Sequence, residues 1–220
     1  MKQFLFLTIL FLFACSNPTT KEIPKEIAEE TKPEIFPPNV YLIDTGGCVY
    51  KDSLKVDSIG DNLFRDKKGN LYFKTYDQTK HKIPVLISRL YNACEGDSTY
   101  DLANYIDVHS FHQLSGIGLY KDNKHVYIYN EMVDGGNIGL ITNADLKTFR
   151  AIPYSFYAID KKHVYYQGMI IENADCKTFE GISKVAGKDT VCWFGKDKKN
   201  YFDGADICTK DNVEEYLKQD

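Results

Sequence analysis

The residues best suited to chemistry by type and spacing lie between Asp107 and His112, where a carboxylate and the imidazoles of His109 and His112 fall within six residues. Carboxylates and imidazoles at such short spacing are the ligand types that zinc prefers. The same stretch, however, repeats a string found around Asp145 and Asp175, in which lysine, arginine or glutamate replaces each histidine. Such variation in residue type between copies is typical of solvated turn positions. The sequence therefore predicts no metal site and no cofactor, and Asp107, His109 and His112 stay as weak metal candidates.

Two further histidines, His125 and His163, hold equivalent positions in a second repeated string, whose third copy has Asn200 there. A general base acts at one site, so several copies of it are not expected. Lysines follow the aspartates that open this string, and they weaken the negative potential that stacked carboxylates would offer a cation. We expect His125 and His163 to be solvent-facing turn residues rather than catalytic bases. We expect no cation site at the aspartates Asp122, Asp160 and Asp197.

Five cysteines lie in the body of the chain, an odd number that leaves one thiol unpaired in an oxidising compartment. A disulfide between Cys48 and Cys94 is the favoured pairing, worth about 4 kcal/mol in the chain-entropy account. The weaker alternative joins Cys176 to Cys192 or Cys208. The motifs C-x-x-C, G-x-S-x-G, G-x-G-x-x-G and the P-loop do not occur. The sequence predicts no catalytic residue, with a cysteine nucleophile beside a histidine as the alternative.

The N-terminus predicts export and lipidation. Residues 1–14, MKQFLFLTILFLFA, carry one lysine, an apolar run and a small last residue, which is the plan of a signal peptide. The tetrad LFAC resembles the lipobox of bacterial lipoproteins, which implies that Cys15 carries diacylglycerol and becomes the mature N-terminus. Because Phe13 is bulkier than that position usually allows, an ordinary signal peptide and an uncleaved anchor stay as alternatives.

Composition divides the rest of the chain into a tether and a domain. Residues 15–38 contain five of the seven prolines and hardly any aromatic residue, so we expect a disordered tether, with a short helix over 23–30 as the alternative. Residues 39–220 are long enough for one domain with a sizeable core. With 27 basic against 31 acidic residues and no basic cluster among aromatics, a nucleic-acid partner is not expected.

Two strings recur through this domain in fixed register. One reads D-K-K-H-V-Y at Asp160 and the other A-D-C-K-T-F at Ala174. The aspartate can start a turn by accepting backbone N–H groups, the lysines suit its exposed middle, and valine and tyrosine favour strands. The sequence therefore predicts β-hairpin repeat units near 60–76, 107–143, 145–173 and 175–206.

These strings resemble the DKNYY family of bacterial repeat proteins. The resemblance covers roughly residues 66–205 and is interrupted by a poorly matching insertion at about 76–105. It implies repeats built on a D-K-x-x-V-Y-Y core, a glycine turn and an A-D-x-x-T-F segment. It implies no established chemistry and no catalytic residues to carry over.

The predicted fold class is all-β, with antiparallel β-hairpin or meander repeats forming one elongated or sandwich-like body. A short C-terminal capping helix should close the last repeat. Asp211 lies three residues before Glu214, the spacing of a capping box. The apolar face of this helix would consist of Val213, Tyr216 and Leu217.

The predicted function is that of a membrane-anchored envelope lipoprotein acting as a non-catalytic binding or scaffolding module. We expect it in the bacterial cell envelope, lipid-anchored to a membrane that by analogy is the outer one, facing the periplasm or the cell surface. Its expected partners are the membrane, through the lipid anchor, and an envelope protein or glycan. The alternative is a hydrolase of envelope polymers with its site near 76–105. The candidate binding surface is Tyr127, Tyr129, Tyr165, Tyr166, Tyr201 and Phe202, although strand aromatics more often form core.

Overall fold

The computed structural model describes residues 41–44, 50–78, 83–92, 98–133, 135–186 and 189–218. All of them belong to one compact unit, Ile35–Asp220. Among these residues, no helix is long and apolar enough to span a membrane. The features predicted for the N-terminal region and the favoured disulfide lie outside the described residues: the signal peptide 1–14, Cys15, the tether 15–38, Cys48 and Cys94.

Two six-stranded sheets form the first part of this unit. The first contains β1 (Tyr41–Asp44), β2 (Tyr50–Leu54), β3 (Val56–Gly60), β4 (Leu63–Asp66), β5 (Leu71–Asp77) and β6 (Ile83–Ile87). The second contains β7 (Arg89–Asn92), β8 (Ser98–Asp101), β9 (His112–Gln113), β10 (Leu119–Lys121), β11 (Val126–Asn130) and β12 (Asn137–Leu140). The four-residue helix α1 (Leu102–Tyr105) follows β8. Neighbouring strands are antiparallel except for the parallel pairs β1–β6 and β7–β12.

Two four-stranded antiparallel meanders complete the unit. The third sheet contains β13 (Arg150–Ala151), β14 (Tyr157–Ile159), β15 (Val164–Tyr166) and β16 (Met169–Ile170). The fourth contains β17 (Glu180–Ala186), β18 (Asp189–Lys196), β19 (Tyr201–Asp203) and β20 (Asp206–Cys208), and α2 (Lys210–Lys218) follows it. The prediction of an all-β fold of antiparallel hairpins with a short C-terminal helix is confirmed.

The repeated strings form the turns of these meanders. Ile159 pairs with Val164 across the four residues that begin at Asp160, and the Asp160 N–H donates to the His163 carbonyl at 3.0 Å. The next turn, Gln167-Gly168, has φ of 47° and 80°. A two-residue turn with both φ values positive has the twist that antiparallel strands need.

The core is shared between consecutive sheets. In one buried cluster, Ile128 of the second sheet packs with Tyr165 of the third sheet and with Phe149, which directly precedes that sheet. The next joins Tyr157 of the third sheet to Phe202 of the fourth. Each repeat is therefore stabilised mainly by the repeat beside it, as expected of repeat proteins.

The N-cap of the C-terminal helix lies two residues before the predicted one, at Thr209 rather than Asp211. Thr209 precedes the helix, its N–H donates to Asn212 Oδ1 at 3.1 Å, and the Asn212 N–H donates to Thr209 Oγ1 at 3.3 Å. This reciprocal pair caps the helix, so the predicted Asp211–Glu214 capping box is wrong. Glu214 instead pairs with Lys210 at 2.8 Å.

One face of the helix packs on the fourth sheet. Val213 is buried, and the Tyr216 ring lies 4.9 Å from that of Phe194 in β18. Leu217, expected on the same face, is 44% exposed.

Candidate functional site

The turn aspartate Asp160 is buried and fully hydrogen-bonded. The residue is only 5% exposed to solvent. Oδ1 accepts the backbone N–H groups of Lys162 and His163, each at 2.7 Å. Oδ2 accepts the Asp145 N–H at 2.8 Å and the Tyr165 hydroxyl at 2.8 Å. The carboxylate thus fastens its own hairpin turn and also holds the segment that contains Asp145.

The Asp145 side chain also binds the string that contains Asp160, through Thr148 and Lys161. Its Oδ1 accepts the Thr148 hydroxyl at 2.8 Å, and Thr148 Oγ1 accepts the Lys161 N–H at 3.1 Å. The Lys161 ammonium lies 2.6 Å from Asp145 Oδ2. We call this arrangement the aspartate clasp, defined by Asp145, Thr148, Asp160 and Tyr165. Residues of one string bond to residues of the other, which explains why the two strings recur at a fixed separation.

The clasp recurs in the preceding repeat. Asp122 is 2% exposed, and its Oδ1 accepts the N–H groups of Lys124 and His125 at 2.7 and 2.6 Å. Its Oδ2 accepts the Asp107 N–H at 2.8 Å and the Tyr127 hydroxyl at 2.7 Å. Corresponding atoms make corresponding contacts, which indicates a structural role common to the repeats.

The flanking repeats carry incomplete clasps. Asp197 Oδ2 accepts the Asp175 N–H at 2.9 Å, but Phe202 stands where the other repeats have a tyrosine. In the first repeat, Asp66 Oδ2 accepts the Asn70 side-chain amide at 2.8 Å and the Tyr72 hydroxyl at 3.2 Å. The turn aspartate is therefore the common element, while its partners vary.

Hydrogen bonding lowers the pKa of the turn aspartates Asp66, Asp160 and Asp197. Burial by itself raises the pKa of Asp160, but the backbone N–H groups of Asp145, Lys162 and His163 and the Tyr165 hydroxyl lower it to below its ordinary value. The same balance lowers the pKa of Asp66 and of Asp197. The Lys161 ammonium, followed by Thr148, lowers the pKa of Asp145 to about 2. A carboxyl group tuned to stay ionised far below neutral pH is unsuited to general acid–base work at pH 7.

These shifts predict loss of stability in acid. An aspartate in the unfolded chain has a pKa of about 3.9, above its folded value here, so the unfolded state takes up protons first as the pH falls. The clasp contribution is fully present above about pH 4 and is lost progressively towards about pH 2. Urea midpoints measured at about pH 7, pH 4 and pH 2.5 should fall only in the last interval. A midpoint unchanged at the lowest pH would contradict the role given to the carboxylates.

The tyrosine of the clasp offers a matched pair of substitutions. Tyr165→Phe removes the hydroxyl from Asp160, while Phe202→Tyr supplies one to Asp197. Both rings pack on an equivalent phenylalanine, at 5.4 Å from Phe149 and 5.6 Å from Phe179. We expect a loss and a gain of stability, each of about 0.5–1.5 kcal/mol, in urea unfolding. Changes of the same sign would show that the hydroxyl does not bind the carboxylate.

The weak metal candidates have other partners. Asp107 Oδ2 accepts the Ser110 hydroxyl at 2.7 Å, and His112 Nδ1 lies 2.8 Å from the Ser110 carbonyl. His109 is exposed, and its N–H donates to Asp107 Oδ1 at 3.2 Å. Within the described ranges, no group of three histidine, cysteine or acidic side chains could hold a metal ion. Asp107 is the counterpart of Asp145 in the preceding clasp.

The repeated histidines are only partly exposed. Nδ1 of His163 lies 3.3 Å from the Tyr165 hydroxyl, and Nδ1 of His125 lies 3.4 Å from that of Tyr127. Each imidazole lies beside the tyrosine hydroxyl of its own clasp, so the histidines predicted to face solvent are exposed only in part.

Three of the six residues of the candidate aromatic surface are buried in the core. Tyr127 and Phe202 are 0% exposed and Tyr165 is 1% exposed, so these three cannot contact a partner. The sheet face that carries them is covered by the neighbouring repeat. The other three members, Tyr129, Tyr166 and Tyr201, are partly exposed. The prediction of one exposed aromatic face along the paired strands is therefore wrong for its central residues.

The weaker disulfide alternative is also corrected. Cys176, Cys192 and Cys208 are all free thiols. Cys192 is buried, and its thiol lies 3.7 Å from the Pro153 carbonyl, while burial raises the pKa of this thiol. A raised pKa disfavours the reactive thiolate.

The insertion near 76–105 is part of the sheets. Its described residues form β6, which pairs with β5, and β7, which pairs in parallel with β12. Two stretches of it, 79–82 and 93–97, lie outside the described residues. The described strands of the insertion are therefore members of the first two sheets.

Sequence reasoning missed an exposed aromatic cluster elsewhere. Trp193 is 45% exposed, although Cys192 and Phe194 on either side of it are buried. Its ring lies 5.8 Å from that of Phe156, which lies 6.1 Å from that of Tyr166. The alternation around Trp193 was a usable signal, because side chains at odd and even positions of a strand point to opposite faces.

Comparison with known proteins gives one match. Residues 137–206, which run from β12 of the second sheet through the third sheet to the start of β20 in the fourth, match the model of the DKNYY family. No curated protein and no solved structure matches the chain.

Proposed function

We propose that this chain, whose residues 137–206 match the model of the DKNYY family, is a non-catalytic binding or scaffolding module of the bacterial cell envelope. The single observation that carries the proposal is that the repeated polar residues are hydrogen-bonded to one another. The aspartates, hydroxyls and tyrosines of the family motif bind one another in the clasp, copy after copy. Groups that satisfy each other in the same way in several repeats serve the fold, which leaves the surface between them for partners.

The proposal includes a lipid anchor at Cys15. The LFAC tetrad after an apolar run supports it. Diacylation buries many methylene groups, at about 0.8 kcal/mol each, and two or three chains hold a protein firmly on a membrane. The Pro-rich residues 16–38 would then hold the repeats away from that membrane. We place the chain on the outer membrane, facing the periplasm or the cell surface.

Fractionation tests the anchor. When the full gene is expressed in a bacterial host, the native chain should partition into detergent with diacylglycerol on Cys15 by mass spectrometry. The Cys15→Ser variant should appear in the aqueous phase. An unmodified Cys15 in the mature protein would contradict the proposed anchor.

A second experiment tests the non-catalytic role. The purified full chain, in detergent, should co-sediment with isolated bacterial envelopes and release no soluble sugar or peptide fragments from them. Fragment release above that of a boiled sample would favour the hydrolase alternative.

A further inference from the structure

Two surface grooves meet beside the Gln167-Gly168 turn. One, of ≈ 520 Å³, runs from β11 and β12 to β16, and the other, of ≈ 650 Å³, runs from the 130–133 loop to Phe156. Asn130 and Gln167 line both grooves. Each volume is that of a small-molecule site, and together they form a cleft suited to an extended ligand.

The chemistry of the cleft is unusual for this chain. Charged residues make up 26% of the sequence, yet no charged side chain lines the smaller groove among its described residues. Glu131 is the one charged residue among the described lining residues of the larger groove. Amide side chains, apolar side chains and aromatic rings provide the rest of the surface. Such a lining offers neutral hydrogen-bond donors and acceptors, and its described residues include no positive charge for an anionic ligand.

Aromatic rings continue the larger groove outwards. Phe156 forms part of its wall, and the Trp193 ring lies 5.8 Å beyond it. Tyr154, two residues before Phe156, is 62% exposed and has φ of 57°. Its backbone is fixed by bonds to Ser115 and Cys192 at 3.1 and 2.8 Å. An exposed aromatic residue held in a rarely adopted conformation is a mark of a functional surface.

The amide at the centre of the cleft stands on a rigid turn. The Gln167 N–H donates to the Phe156 carbonyl at 3.0 Å, and Gly168 lies against Ile128. Gln167 adopts φ of 47°, which favours glycine or asparagine over glutamine. The backbone is therefore held in place while the exposed side chain is free to contact a ligand.

We propose that this cleft, centred on Asn130 and Gln167 and extended by Phe156 and Trp193, binds an uncharged segment of a polysaccharide chain. Neutral hydroxyl groups match the amides, and the apolar faces of sugar rings match the aromatic rings. The scarcity of charge disfavours phosphorylated or uronic chains. This inference rests on the proposed function, and it names the class of partner and the site.

The chain contains its own reporter for this site. Trp193 is the one tryptophan of the sequence, so binding beside it should change the emission of the whole protein. The full chain, in detergent, would be titrated with maltohexaose, cellohexaose, xylohexaose and chitohexaose. Hexagalacturonate serves as the charged control and a neutral Gly-Ser peptide as the polypeptide control. We expect at least one neutral hexasaccharide to saturate the signal in the range of about 0.01–1 mM.

Variants locate the binding. Gln167→Gly removes the amide and suits the positive φ, and Asn130→Ala removes the second shared amide. Asp61→Gly is the matched control, because Asp61 also occupies a turn with positive φ, at 45°, and does not line either groove. Gln167→Gly and Asn130→Ala should each weaken binding at least about tenfold, while Asp61→Gly leaves it unchanged.

Two outcomes would overturn the inference. Binding of the charged sugar or of the peptide in preference to every neutral hexasaccharide would reject the ligand class. No saturable signal with any neutral hexasaccharide, or binding that both amide variants leave intact, would reject the site. In either case, co-sedimentation with envelopes would still report separately on the proposed function.

Discussion

Replacing Asp160 by alanine is expected to lower the free energy of unfolding by about 2–5 kcal/mol. The carboxylate accepts four hydrogen bonds, and the one from the Tyr165 hydroxyl is buried. An unsatisfied buried donor costs about 1–3 kcal/mol, so the loss exceeds that of a surface substitution. Urea unfolding of the full chain, followed by circular dichroism, measures the change.

Asp206→Ala, at an exposed aspartate, is the control for that substitution. Asp206 follows Ala205 as Asp145 follows Ala144, but it is exposed and no threonine-phenylalanine pair follows it. We expect a change within about 0.5 kcal/mol there. Equal effects of the two substitutions would mean that the clasp contributes nothing beyond loss of a surface charge.

The second large effect is expected from Phe202→Ala, at about 3–5 kcal/mol of lost stability. Phe202 is 0% exposed and belongs to the cluster that joins the third and fourth sheets. Its ring lies 5.6 Å from that of Phe179. Truncation removes apolar contacts and leaves a cavity between two repeats, so it weakens their association as well as the fourth repeat itself.

The neighbouring residue provides the comparison. Tyr201→Ala, at a partly exposed position, should cost about 1 kcal/mol. Both residues were candidates for one binding surface, and the two variants separate core from surface. If Phe202→Ala unfolded at the same urea concentration as Tyr201→Ala, the assignment of Phe202 to the core would be wrong.

The local part of the fold could be predicted from the sequence. Aspartate at the start of the turn, lysines in its middle and valine with tyrosine after it are all local preferences, and the hairpin at Asp160 forms as they predict. The helix after the last repeat could also be predicted from local sequence preferences. Its cap was misplaced from Thr209 to Asp211 because both residues are good N-caps and only the Asn212 contact distinguishes them.

The long-range part could not be predicted. One face of each meander packs against another repeat, and nothing in the alternation of Tyr165 and Tyr166 says which of them faces that repeat. The parallel pairing of β7 with β12 joins segments that are far apart in sequence. For the same reason the cleft at Gln167 was missed, since its two grooves combine residues from separate hairpins.

Amide hydrogen exchange at Asp145 tests the central claim most directly, because that N–H joins two strings of the motif through the buried carboxylate of Asp160. Measured by NMR on the full chain at neutral pH, it should exchange at least about a hundredfold more slowly than an unstructured amide. The Asp160→Ala variant should lose that protection while Asp206→Ala keeps it. Exchange of the native Asp145 amide at the unprotected rate would contradict the clasp and, with it, the view that the repeated aspartates serve the fold.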